Sequence, residues 1–146
     1  MKKTGILNAQ LIGELAKIRH QDKLVICDIG FPIPKGAVVV DVSLVEGIPT
    51  FMQVLKAVLN EIIVEDYTVF DFMKQYNTEY YDQIQEFFVN QTHSEVSMPE
   101  FIELSKEAKL FIRTGEGKPA SNILLTSATG VKEMNCALDV RFDSVL

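Results

Sequence analysis

The sequence holds two histidines, His20 and His93, and imidazole is the side chain most easily poised to move a proton near neutral pH. His20 is the stronger candidate. It closes an apolar-periodic segment two residues before Asp22 and eight before Asp28, where the chain must turn toward an extended run; a surface or capping histidine is the competing reading. Asp28 follows the apolar run that ends at Cys27 and precedes Gly30 and Pro32. Its carboxylate therefore stands at the mouth of a sheet, placed to accept hydrogen bonds from hydroxyl groups, although an Asx turn or a helix cap explains an aspartate there equally well. Asn122 lies between a glycine-bearing loop and a strand, and its amide can both donate to and accept from a hydroxyl; turn formation is the plainer use. Glu61, Glu65, Glu103 and Glu107 read most simply as solvated helix or edge residues.

These side chains need elements to hold them. Asn8 can cap a helix whose apolar positions Leu11, Ile12, Leu15 and Ile18 recur at three- and four-residue spacing and which ends near His20. Residues 23–27 are β-branched and apolar and predict a buried strand. The stretch 28–36 carries two prolines and two glycines, which predicts a stiff loop of the kind that shapes sites. A second strand is expected over 37–42, a helix opened by Pro49, and a strand around 62–64 that resumes near 68–70. One or two helices broken near Asn77 should fill 71–89. A short strand over 95–98, a helix over 99–108 and strands over 110–113 and 123–126 complete the pattern. Strands alternating with helices predict an α/β fold, a three-layer α/β/α sandwich around a mostly parallel or mixed central sheet, with sites outside the strands' carboxyl ends.

A chain of 146 residues, 47% of them apolar, suits a single domain spanning 1–146, with a segment from about 131 that lacks a clear period. That segment reads as a late-pairing strand or a tail docked on a neighbour. The net charge of -6 disfavours nucleic acid and anionic membranes as partners. No long apolar run follows the two lysines near the start, so neither a signal peptide nor a membrane span is expected, and the cytoplasm is the expected compartment. Cys27 and Cys136 lie too far apart and too poor in neighbouring histidines for a zinc set, and read as reduced structural thiols. Gly115 and Gly117 form no phosphate-binding motif. No cofactor and no metal are expected.

Three spaced segments, Leu7-Asn8 through His20 and Asp22, residues 28–35, and Ile112 through Glu116 leading to residues 122–125, resemble the D-ribose pyranase family. The match extends through Asp41, Gly47, Pro49, Phe51, Gln53, Val54 and Leu55, and runs to about Gly130. The fucose mutarotases share the Gly-Glu and Asn-Ile-Leu-Leu elements, and the Pro-Ile-Pro-Lys loop at 32–35 favours the ribose branch. The resemblance implies a cofactor-independent isomerase interconverting the β-pyranose and β-furanose forms of ribose or a related sugar, with His20 as proton donor and Asp28 and Asn122 bonded to the sugar. It also implies a homo-oligomer, pentameric or decameric, with sites near subunit contacts. Tyr80, Tyr81, Phe87 and Phe88 can serve such contacts or the chain's own core.

The sequence departs from the family at two site positions. Met98 stands where the family carries a sugar-binding histidine, and Ala120 where it carries a tyrosine, with Ser121 between Ala120 and Asn122. His93 reaches that place only in a different register, while Glu133, Asn135 and Arg141 in the extension are candidates to return a polar group to the pocket. Three hypotheses follow: a ribose pyranase or close relative, a noncatalytic sugar-binding or regulatory relative, and a ring-forming structural protein.

Overall fold

A computed structural model of the chain describes residues 1–131 and 141–146. Asn8 accepts a hydrogen bond from the Leu11 amide and opens α1 (Ala9–Leu15), which buries Leu11 and Leu15. The helix stops five residues short of His20 because Lys17 and Ile18 bond back three residues to Glu14 and Leu15, and Asp22 accepts from the Arg19 amide. β1 (Lys23–Cys27) and β2 (Val39–Asp41) follow, joined by the proline-rich loop. Thr50 and Gln53 form a reciprocal capping box at the start of α2 (Phe51–Leu59), satisfying two orphan amides at once.

β3 (Val64–Phe70) is one strand where the sequence suggests two. Its polar residues Glu65 and Asp66 are accommodated because each finds a partner, Glu65 in His20 and Gln21, Asp66 in the Thr92 hydroxyl at 2.6 Å. α3 (Met73–Tyr76) and α4 (Thr78–Phe87) break at Asn77 as expected. β4 (Thr92–Val96) starts and ends earlier than expected, since Ser97 leaves the strand to cap α5 (Met98–Ser105) with Pro99 in the first turn. β5 (Leu110–Arg113) and β6 (Ile123–Ser127) end the sheet.

The six strands run in the order β2-β5-β1-β6-β3-β4. β1 pairs parallel with β5, β5 with β2, and β3 with β4, whereas β6 is antiparallel to both β1 and β3. Five strands thus point one way and β6 alone points back. Tyr67 stacks on Phe88 beside α4, and Phe70 packs against Phe101 of α5. Residues of odd separation on a strand face opposite sides, so helices cover both faces and the α/β/α layering is realised. The core runs through Leu24, Ile26, Tyr67, Phe111 and Ile123, all buried. Tyr80 and Phe88 are buried in this same core.

Residues 141–146 form no strand; they lie on their own chain. The Asn60 amide donates to the Phe142 carbonyl at 2.9 Å and accepts from its N–H at 2.7 Å, and the Phe142 ring meets Phe87 edge-on. No helix among the described residues is long and apolar enough to cross a membrane.

Candidate functional site

The reversed strand decides which loops meet. Because β6 runs opposite to β1, with Ile26 facing Ile123, the residue after β1 and the residue before β6 reach the same edge of the sheet. Those residues are Asp28 and Asn122. The Asp28 N–H donates to Asn122 Oδ1 at 3.1 Å, and Asn122 Nδ2 donates to Asp28 Oδ2 at 2.7 Å. Asp28 Oδ1 accepts from the Gly30 N–H at 2.9 Å, so the Asx turn and the exposed acceptor are the same carboxylate. Arg113, last in β5, spreads its guanidinium over the carbonyls of Asp28, Ile29 and Phe31 and so fixes the loop that carries the aspartate.

A cleft of about 370 Å³ opens over this pair. Phe31 and Pro32 of the loop, Phe70 and Phe72 beyond β3, Met98 and Ile102 of α5, and Pro119 with Ala120 form its walls. Asp28 and Asn122 are the polar side chains among its lining residues. The aromatic walls are stiff, with Phe70 stacked on Phe72 at 4.9 Å and tilted against Phe101 at 4.7 Å. Such a cleft can hold hydroxyls at one end and a C–H face along the rest. Asn122 keeps one amide hydrogen and one lone pair for a ligand, and each Asp28 oxygen keeps further acceptor capacity.

Met98 and Ala120 both line this cleft, Ala120 in the left-handed region at φ 58°. Ser121 does not face it: one position from its neighbours it points the other way, fully buried, and its hydroxyl accepts from Asn77 Nδ2 at 3.0 Å. The Ser121 side chain is therefore a strut under the site and does not line the cleft. Glu116 supplies a second strut. Its buried carboxylate accepts from the Tyr80 hydroxyl at 2.7 Å, the Phe51 amide at 3.2 Å and the Lys118 amide at 2.9 Å, while its carbonyl accepts from the Ile29 amide. Burial, reinforced by this carboxylate, pushes the Tyr80 phenol well above its ordinary range. Gly115 has no room for a side chain, since a Cβ there would lie 2.3 Å from the Ile48 carbonyl oxygen.

His20 lies elsewhere. It precedes β1 while Asp28 follows it, and a five-residue strand rising about 3.3 Å per residue separates the ends by roughly 17 Å. The expected pocket joining His20 with Asp28 and Asn122 is therefore not formed within one chain. His20 Nε2 instead stands 3.2 Å from Glu65 Oε2, half exposed. His93 stacks on Tyr67 in the middle of β4 and lies outside the cleft. Arg141 lines a separate cavity with Lys2, Asn60 and Glu61, not the cleft, and Glu133 and Asn135 lie outside the described residues. Cys27 is buried beneath the pair, and burial pushes its thiol up to about 12. Arg113, Glu116 and Glu65 escape a search for reactive types; their signal is position alone, a charged residue at the end of, just after, or within an apolar strand.

The chain is similar to known proteins in sequence and in fold. Residues 1–131 match the model of the RbsD / FucU transport protein family. D-ribose pyranases of Geobacillus thermodenitrificans and Petrotoga mobilis are each 42% identical over 127 residues, covering 87% of this chain and 96% and 97% of theirs. The solved structure of Bacillus subtilis RbsD complexed with D-ribose superposes with a TM-score of 0.84 at 38% identity, covering 88% of this chain and 98% of that one. The Streptococcus pneumoniae fucose mutarotase in complex with L-fucose shares the fold, with a TM-score of 0.69 at 22% identity. With a matched model over nearly its whole length and relatives of this identity, the chain belongs to the RbsD / FucU family.

Proposed function

We propose that this chain is a D-ribose pyranase that interconverts the β-pyranose and β-furanose forms of ribose or a related sugar in the cytoplasm, without a cofactor. The observation that carries the reading is the Asp28–Asn122 pair at the mouth of a stiff, aromatic-walled cleft, in a chain 38% identical to a protein solved with D-ribose. The reaction is a proton relay. A proton reaches the ring oxygen as its bond to the anomeric carbon breaks, and the anomeric hydroxyl gives one up to become the carbonyl. The neighbouring chain hydroxyl then attacks that carbon, returning both protons. Asp28 and Asn122 hold the hydroxyls, Met98 and Ala120 line the wall, and His20 donates the proton.

Since His20 stands at the far end of β1 from its own chain's cleft, it serves the cleft of a second copy, and the active form is a homo-oligomer, a pentamer or decamer. Met98 and Ala120, in place of imidazole and phenol, favour a second reading in which the chain binds sugar without turning it over. Exchange NMR on D-ribose and a panel of pentoses and hexoses separates the two. Acceleration that disappears in His20→Ala supports the pyranase; sugar binding with no acceleration for any member of the panel overturns it in favour of the binder.

A further inference from the structure

We infer that Glu65 is a positioning residue that holds His20 through its Nε2–H and leaves Nδ1 as the nitrogen that meets the sugar, where it takes up the proton that it then donates to the ring oxygen; this rests on the assignment of His20 as the proton-transfer group. A carboxylate only accepts, so at 3.2 Å the hydrogen between His20 Nε2 and Glu65 Oε2 belongs to the imidazole; the Gln21 amide nitrogen lies 3.4 Å from the same Nε2, the longer of its two contacts, and donates to Glu65 Oε1 instead. Among the described residues no hydrogen bond engages Nδ1. The other Glu65 oxygen is held by the Gln21 side-chain amide. Gln21 adopts φ 68°, a left-handed conformation costly for a residue with a Cβ. It is held there by its own N–H bonded to the Ser127 carbonyl at 2.9 Å, and this conformation sends the side chain across to β3. Backbone strain at Gln21, its amide, Glu65 and His20 thus form one chain of contacts ending at a free ring nitrogen.

The other charged groups nearby are already engaged. Asp22 accepts from Lys109 and from the Arg19 N–H, Arg19 donates to the carbonyls of Ala16 and Ile18, and Lys23 pairs with Glu107. Asp66, next to Glu65, is bonded to Thr92. Glu65 is therefore the ionic partner of His20 among the described residues. An orienting carboxylate of this kind acts by preventing the wrong tautomer, as the aspartate of a serine-protease triad does.

The test is 15N NMR of the imidazole in the free protein at pH 8.5, the His20 signals being those absent from His20→Ala, combined with ring-exchange kinetics. In Glu65→Ala the Nδ1–H share should rise severalfold toward the mixture of an unconstrained imidazole. The turnover number should fall by about fivefold, as suits a part-exposed pair, with KM unchanged. Glu65→Gln, whose carbonyl still accepts from Nε2–H, should restore both. An unchanged spectrum in Glu65→Ala, or a Gln variant no better than the Ala variant, overturns the proposal alone. Undiminished turnover in His20→Ala overturns the reading on which it rests, and the proposal with it.

Discussion

Mixing two inactive variants gives the sharpest test of a site shared between copies. One variant is His20→Ala. The other is Asp28→Asn, which sets an amide against Asn122 Nδ2, where the carboxylate now accepts at 2.7 Å, while its carbonyl can keep the Gly30 contact. The two positions flank β1 and lie about 17 Å apart along it, since the strand has five residues, a gap no histidine side chain spans. If each site takes His20 from one copy and Asp28 from the next, a random one-to-one mixture completes a site only when an Asp28→Asn copy supplies the histidine and a His20→Ala copy supplies the aspartate. Each condition is met half the time, so about a quarter of the wild-type sites are rebuilt in a heterologous ring. The assay is ring-exchange NMR on oligomers made by co-expressing two differently tagged variants and purifying through both tags. Mixed oligomers with no more activity than either parent would refute the shared site.

Other consequences follow from the packing. Cys27, with its thiol raised from the ordinary 9.0 to about 12, should resist iodoacetamide at pH 8 in a Cys136→Ser background until the protein is denatured. The sign of its linkage is set by the unfolded thiol, which ionises first: the contribution is fully present below pH 9 and is lost as pH rises toward 12, by up to about 1.4 kcal/mol per unit, seen as a falling urea midpoint. Gly115→Ala should lower the melting temperature by forcing a Cβ onto the Ile48 carbonyl, a clash worth about 1–3 kcal/mol. Phe142→Ala removes the ring that packs on Phe87. It should cost about 1–3 kcal/mol in chemical denaturation, as truncating a partly buried aromatic does, while leaving sugar affinity unchanged because Phe142 is not among the residues lining the cleft.

Local order was legible where one force dominated. β1 and β5 are apolar runs bounded by charge, and both occur at the residues the pattern indicates. Asn8 and the break at Asn77 likewise follow from cap and turn chemistry. Long-range partners were not legible: Glu65 and Asp66 read as an interruption because His20 and Thr92, which satisfy them, are distant in sequence. Asp28 was found from its place after a strand. Asn122 joins it only because β6 runs backward, and strand direction leaves no trace in hydrophobic pattern. The separation of His20 from Asp28, by contrast, was there to be read: a strand between two residues sets them at opposite edges. Ser121 shows the complementary limit, since alternation along a strand end depends on where the strand begins.

The placement of β6 also orders events on the ribosome. β1 is the first strand synthesised, yet its two neighbours in the sheet are the last two among the described residues, Leu24 facing Leu110 on one side and Leu125 on the other. An emerging chain can therefore pair only β3 with β4 while its first hundred residues appear, and β1 and β2 wait with apolar faces uncovered. Closing loops of this length makes folding slow and leaves intermediates open to aggregation. The central sheet, and with it the Asp28–Asn122 pair, assembles in a late step that needs the chain through Ser127.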